Sequence, residues 1–198
     1  MTNQLVKVLL LLPRKKENEE IATEQMQHRK CYRKVWSTPE EREVRIKELE
    51  AVASLYPEYK WRIYETVNWR DLRKAYFEFE KRKLEWQRSD KTNEMKWLQY
   101  YNSEWVSNLM RPECKDKKEQ LFIIDKDDRC LLDEFTDMMD DLKIEIVEAY
   151  ITPGGYHYLV KPFDITSITK NKRYGLWKDW NAEVHKDGLR LVKVIDKK

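Results

Sequence analysis

Two aspartates stand two residues apart at the end of an apolar run, Leu121-Phe122-Ile123-Ile124-Asp125-Lys126-Asp127. Alternate residues of a strand share a face, so Asp125 and Asp127 point one way, with Cα atoms about 6.5–7 Å apart, and Lys126 points the other. The apolar residues bury such a strand and deliver two carboxylates side by side at its end. That pair repels itself unless a cation intervenes, and Mg²⁺ or Mn²⁺ prefers oxygen ligands. Two such ions, about 3.5–4 Å apart, activate a hydroxyl and steady a phosphoryl group in transit. The same residues also read more plainly, as a strand running out into a solvated acidic turn with Asp128 capping the helix that follows.

A second segment, Thr152-Pro153-Gly154-Gly155-Tyr156-His157-Tyr158-Leu159-Val160-Lys161, reads as a hairpin turn feeding a strand. His157, Leu159 and Lys161 share a face of it, so His157 and Lys161 could reach one anion. Gly154 and Gly155 would let a phosphate approach the backbone closely. Pro-Gly is also an ordinary type II turn, and a single strand histidine is more often simply hydrogen-bonded.

Taken together, an apolar strand ending in Asp-x-Asp and, 30 residues after Asp127, a strand bearing Gly-Tyr-His resemble motifs one and two of the archaeo-eukaryotic primase superfamily. That superfamily includes primases, primase-polymerases and small phage-encoded primase-like proteins. The resemblance covers mainly residues 119–198. It implies that Asp125 and Asp127 bind a catalytic divalent metal, Mg²⁺ or Mn²⁺, and that His157, with Lys161, contacts the phosphates of an incoming nucleoside triphosphate. It further implies a third acid on a later strand, for which Asp187 is in the right chain order although Asp187-Gly188 also reads as a turn, and Asp179 is a weaker choice. A single-stranded nucleic-acid template, and a helicase or other replication partner for template handling, follow from the same likeness. Lys126 departs from the family's apolar preference at its position. If no third carboxylate exists, the fold would serve as a non-catalytic nucleotide or nucleic-acid binding module. Ile-Asp-Lys-Asp also resembles the nucleophile strand of haloacid-dehalogenase phosphatases, but Asp128-Arg129-Cys130 follows where that family has Thr or Val and a Gly-rich turn.

These residues need elements to hold them. Gln4 to Leu12 reads as a buried strand, and residues 17–36 as polar and irregular. Ser37-Thr38-Pro39-Glu40-Glu41 starts a helix, with Thr38 as N-cap and Pro39 at the first position, running to about Leu55. Glu58 to Val67 reads as a strand, with Trp61, Ile63 and Val67 on one face and Arg62, Tyr64 and Thr66 on the other. Asn68 then caps a helix with Trp69, Leu72, Tyr76, Phe79 and Trp86 on its apolar stripe, and Asn93 to Met110 makes another. Arg62, Tyr64 and Asn68, followed by Arg70, Arg73 and Lys74, could hold a template or triphosphate. Downstream lie a strand at Leu121, a helix over Leu131 to Leu142, a hairpin of Ile144 to Ile151 with Tyr156 to Val160, and a second hairpin of Ala182 to Lys186 with Leu189 to Ile195. The order predicts an α+β protein: a primase-polymerase-like core with an RRM-like antiparallel sheet, packed with an N-terminal αβ helical unit into one compact domain.

The 198 residues carry 39 Lys and Arg against 36 Asp and Glu, a net charge of +3. Residues 1–118 hold 26 basic and 20 acidic residues, and residues 119–198 hold 13 and 16, so the chain divides into a basic unit and an acidic, catalytic-type unit. Eight Trp and eleven Tyr with only four Gly argue for a packed core and against disorder. Three widely spaced cysteines argue against a disulfide framework or structural zinc. With no apolar run near the roughly 20 residues of a spanning helix, the expected location is the cytoplasm, away from membranes.

Overall fold

A computed structural model describes residues 4–21, 31–89, 101–127, 132–166 and 180–197. The protein is α+β, with antiparallel sheets and a few helices. The chain divides into two units, Met1–Lys117 with Leu191–Lys198, and Lys118–Arg190. Among the described residues no helix is long and apolar enough to cross a membrane.

The first unit is organised around β1 (Leu5–Pro13), which pairs antiparallel with β2 (Tyr32–Trp36), β3 (Trp61–Thr66) and the short β4 (Arg70–Asp71). β9 (Leu189–Ile195) completes the order β2-β1-β3-β9. Leu9 and Leu11 face α1 (Pro39–Ser54), where they pack with Trp36, Trp61, Ile63, Ile46, Leu49 and Ala53. Val8 and Leu10 are buried on the other face. Burial on both faces is why β1 reads as an almost unbroken apolar run without alternation. Thr38 caps α1 by accepting from the Glu41 N–H at 3.3 Å, while Glu41 Oε2 accepts from the Ser37 N–H and hydroxyl, each at 2.8 Å.

Three expectations fail in this unit. The stretch expected to be irregular holds β2 and a buried latch: the Asn18 amide donates to the carbonyls of Arg14 and Lys60 and accepts from the Lys60 N–H at 2.7 Å. The cap of α2 (Leu72–Ser89) is Asp71, which accepts from the Arg73 and Lys74 N–H groups at 3.0 Å each. Asn68 and Arg70 precede that helix and are buried, because the chain spends two residues pairing β4 with β1 before it can turn. The inner stripe of α2 is Ala75 and Phe79, with Phe79 edge-on to Trp105 of α3 (Tyr101–Leu109), while Tyr76 faces solvent. The start of the helix expected from Asn93 lies outside the described residues.

The second unit is a four-stranded antiparallel sheet in the order β6-β7-β5-β8, with β5 at Phe122–Lys126, β6 at Ile146–Ile151, β7 at Tyr156–Val160 and β8 at Ala182–His185. α4 (Leu132–Asp141) buries Phe135, Met138 and Met139 against Phe122, Ile124, Tyr158, Val160 and Ala182 on one face. The helix ends at Lys143, in the left-handed region at φ 56°, where the Lys143 N–H bonds to Asp140 O and the Ile144 N–H to Met139 O. The expected second hairpin does not form as one ladder: β8 pairs with β5, whereas β9 joins the sheet of the first unit. Asp187-Gly188 links two sheets instead of turning a hairpin, and a Cβ on Gly188 would press on the Ile123 side chain at 2.6 Å.

Candidate functional site

The face of the second sheet opposite α4 carries one row of polar side chains. Cross-strand register sets Tyr150 opposite His157, His157 opposite Asp125, and Asp125 opposite Glu183. Directly opposed residues share a face with Cβ atoms about 4.5–5.5 Å apart, so four strands contribute one side chain each to a continuous line. His157 Nε2 lies 2.9 Å from Asp125 Oδ1, and Tyr150 Oη lies 3.1 Å from His157 Nδ1, with the two rings edge-on at 5.2 Å. An ionised carboxylate only accepts, so the neutral imidazole donates Nε2–H to Asp125 and leaves Nδ1 to accept from the Tyr150 hydroxyl. Asp125 thereby sets the tautomer of His157, the base-and-orienter relation seen wherever a histidine is held ready to take a proton. Asp125 keeps a third of its side-chain surface exposed, against 13% for His157, so the row opens to solvent on the carboxylate side.

Lys126 points to the α4 face, as strand alternation requires. It is almost wholly buried there, donates from Nζ to Trp180 O at 3.0 Å and sits 5.5 Å from the centre of the Phe135 ring. Its aliphatic stem does the packing of an apolar residue while its charge finds a carbonyl and a ring face. Asp127 follows the strand, exposed, with its N–H donated to Asn181 O at 2.9 Å. The turn before β7 closes when the Thr152 N–H donates to Gly155 O at 2.9 Å and the Gly155 N–H donates to Thr152 Oγ1 at 3.1 Å. The two glycines then differ. A Cβ on Gly155 would collide with Lys126 O and come within 2.8 Å of the Asp127 carbonyl carbon, whereas a Cβ on Gly154 would meet nothing. Gly155 therefore serves the close approach of the turn to the end of β5, and only Gly154 borders open space.

The register separates other residues expected to work together. Lys161 lies just beyond β7, four residues from His157 or about 13 Å along the strand, and is paired with Glu145 at 2.5 Å. It does not join His157 around one small anion. Asp187 follows His185, which is opposite Ile123, so it lies toward the far end of β5 from Asp125. Glu183 occupies the position beside Asp125 instead; its carboxylate is exposed, 3.6 Å from His185 Nε2. Among the described residues no three His, Cys, Asp or Glu side chains are gathered closely enough to hold a metal ion. Asp128, Arg129, Cys130 and Asp179 lie outside the described residues.

Arg62, Tyr64 and Asn68 belong to the first unit. Arg62 is buried and bonded twice to Glu17, Nε to Oε2 at 2.8 Å and Nη2 to Oε1 at 2.5 Å, with Nη1 3.4 Å from Tyr64 Oη. Burial raises the Glu17 carboxyl, but the hydrogen bonds and charge of Arg62, with Lys60 and Arg14, more than offset that and hold it below its ordinary value. Burial likewise lowers the Arg62 guanidinium, and its bonds to Glu17 and Tyr64 reverse the sign. The Arg62 charge is thus satisfied inside the protein, and Asn68 is 1% exposed. Arg62 and Asn68 are thus turned inward, whereas Tyr64 is only partly buried.

Reasoning from the sequence missed Tyr150 and Glu183. Both stand on strands that were recognised, and alternation places Tyr150 on the face of Glu148 and Glu183 on the face of His185. Only the pairing partner makes either a site residue, and a single sequence does not state pairing. No family model, curated protein or solved structure matches this chain.

Proposed function

We propose that the second unit handles nucleoside triphosphates, as a divalent-metal-dependent nucleotidyltransferase of primase-polymerase type acting with a nucleic-acid template. The observation that carries this reading is the register of β5, β7 and β8, which makes Asp125 the direct neighbour of both His157 and Glu183. The reading requires its aspartate and histidine motifs on adjacent strands and a further acid on a later one, and Glu183 meets the last requirement better than Asp187. The order β6-β7-β5-β8, with a helix after its first strand, is also the strand order of an RRM-like sheet, and so supports the same core.

Asp125, Asp127 and Glu183 offer oxygens of the kind Mg²⁺ and Mn²⁺ take, and an ion would have to draw them together, since no three such side chains converge among the described residues. When bound, such an ion would neutralise phosphate charge and favour departure of pyrophosphate. The chain's own contribution is to hold His157 in one tautomer and orientation. Tyr150 and Asp125 fix the ring from both sides, and the Nε2–H now donated to Asp125 is the group that can turn to a phosphate oxygen. Mn²⁺-dependent incorporation of nucleotide on a primed or unprimed oligonucleotide tests the proposal. Asp125→Asn should remove incorporation while circular dichroism is unchanged. A purified chain that neither binds nucleotide with Mn²⁺ nor extends or initiates a strand ends the catalytic reading.

A second reading, a binding module without catalysis, is favoured by a different observation. Both ring nitrogens of His157 are engaged, and no three ligating side chains converge among the described residues. Nucleotide binding that is indifferent to both Mn²⁺ and Asp125→Asn would select it.

A further inference from the structure

The solvent side of α2 is unlike an ordinary solvated helix face. Its buried stripe, Ala75 and Phe79, defines an outward direction. At the helical angle of 100° per residue the positions opposite it are Arg73, Lys74, Phe77, Lys81, Leu84 and Arg88. All six are exposed, with Phe77 at 56% and Leu84 at 51%, and Tyr76 beside them at 51%. Arg73, Lys81 and Arg88, with Lys74 3.8 Å from the Asp71 carboxylate, therefore surround two exposed apolar side chains on one face, over a length of about 22 Å from Arg73 to Arg88. Of the acids of the helix, Glu80, as far from the centre of this face as Lys74, is bonded to Lys83 at 2.7 Å, and Glu78 and Glu85 line a cavity of about 240 Å³ together with Lys81, Arg82, Trp86 and Arg111. Lys81 and Arg88 have no carboxylate partner within 4.0 Å among the described residues, and the Arg73 guanidinium lies over the Phe77 ring at 5.7 Å. Phe77 and Tyr76 are edge-on at 5.7 Å, so two rings are displayed together.

We infer that this face of α2 is a docking surface for single-stranded nucleic acid. Water-exposed rings amid cations match the two needs of a single strand, a stacking partner for unpaired bases and positive charge for the phosphates. The guanidinium over Phe77 extends the platform by a second planar group. An acidic peptide would use the charge but leave the rings idle. A lipid surface would call for a continuous apolar stripe, whereas Phe77 and Leu84 are two residues embedded among cations. The inference rests on the proposed function only for the class of partner, nucleic acid, and assigns that partner to a surface in the first unit.

The test is fluorescence anisotropy of a labelled mixed-sequence single-stranded oligonucleotide, titrated with the full chain at several salt concentrations. The triple substitution Arg73→Gln, Lys81→Gln, Arg88→Gln should weaken binding at least tenfold and reduce the slope of log affinity against log salt by about two, because each lost phosphate contact removes about 0.7. Phe77→Ala should weaken binding about tenfold at unchanged slope, since stacking carries no counterion. All these side chains are exposed, so the unfolding transitions should stay in place. Wild-type-like binding by both variants overturns the inference, as does a wild-type chain that ignores the oligonucleotide, whether or not it takes up anionic vesicles or an acidic peptide. Nucleotide incorporation is followed in parallel. Its absence beside binding that depends on this face sinks the nucleotidyl-transfer reading alone, and incorporation beside binding that does not depend on it sinks this inference alone.

Discussion

His157 spends both ring nitrogens on neighbours, and this decides what the residues around it can do. Tyr150→Phe removes the hydroxyl whose proton Nδ1 accepts and should cost about 1 kcal/mol of stability in urea unfolding, while leaving the affinity for nucleoside triphosphate measured by calorimetry at its wild-type level, because Nδ1 has no proton to offer a phosphate oxygen. The Glu17–Arg62 pair makes a prediction of a different kind. Glu17→Gln strands a buried guanidinium and should cost about 2–3 kcal/mol at pH 7, toward the low side for a broken buried pair because Glu17 keeps some contact with water. The native carboxyl lies below its ordinary value, so its contribution is complete above the unfolded-state pKa and is lost as pH falls through the folded one. The gap between wild type and variant in urea unfolding should therefore be full at neutral pH and close in acid below about pH 4. The strands that carry Asp125 and His157 were legible from the chain, because an apolar run and a Pro-Gly-Gly turn are local signals. Arg62 was misread, because an arginine on the polar side of a strand looks exposed until its partner from Lys15–Glu17 is known.

At the scale of elements, the turn between β6 and β7 carries the clearest contrast. Gly155→Ala drives a methyl into the backbone at the end of β5 and should destabilise the second unit by about 1–3 kcal/mol, as overpacking does elsewhere, with the Asp125 end of the strand displaced. Gly154→Ala should be nearly neutral in contact terms, and paired thermal melts of the two variants separate packing from turn propensity. The end of α4 offers the opposite sign. Lys143 holds a left-handed conformation that glycine adopts without penalty, so Lys143→Gly should stabilise by about 0.5–1 kcal/mol. Elements with strong local signals were legible: Thr38-Pro39 at the start of α1, and the turn that joins β6 to β7. β2 was not, since Tyr-Arg-Lys-Val-Trp becomes a strand by borrowing the edge of β1. The cap of α2 was missed by three residues for a related reason, as β4 formed first on the free end of β1.

Among the described residues one hydrophobic cluster lies under α1 in the first unit and another under α4 in the second, with no buried residue in common. Gly155→Ala should accordingly leave hydrogen-exchange protection of β1 and β3 at its wild-type level while lowering that of β5 and β7. Uniform loss across both units would show a single cooperative core instead. By itself the sequence determined what local chemistry determines: an α+β class, the strands that carry Asp125 and His157, and the helix start at Thr38. It also determined a basic first part and an acidic second part. Tertiary structure alone decided which residues complete each site. Pairing register between distant strands put Glu183, not Asp187, beside Asp125 and added Tyr150 to His157, and it sent β8 and β9 to different sheets. Burial turned Arg62 inward and left Phe77 outward. Local propensity acts over a few residues, whereas register and burial are settled by what the whole chain can pack, and so they are read only from the fold.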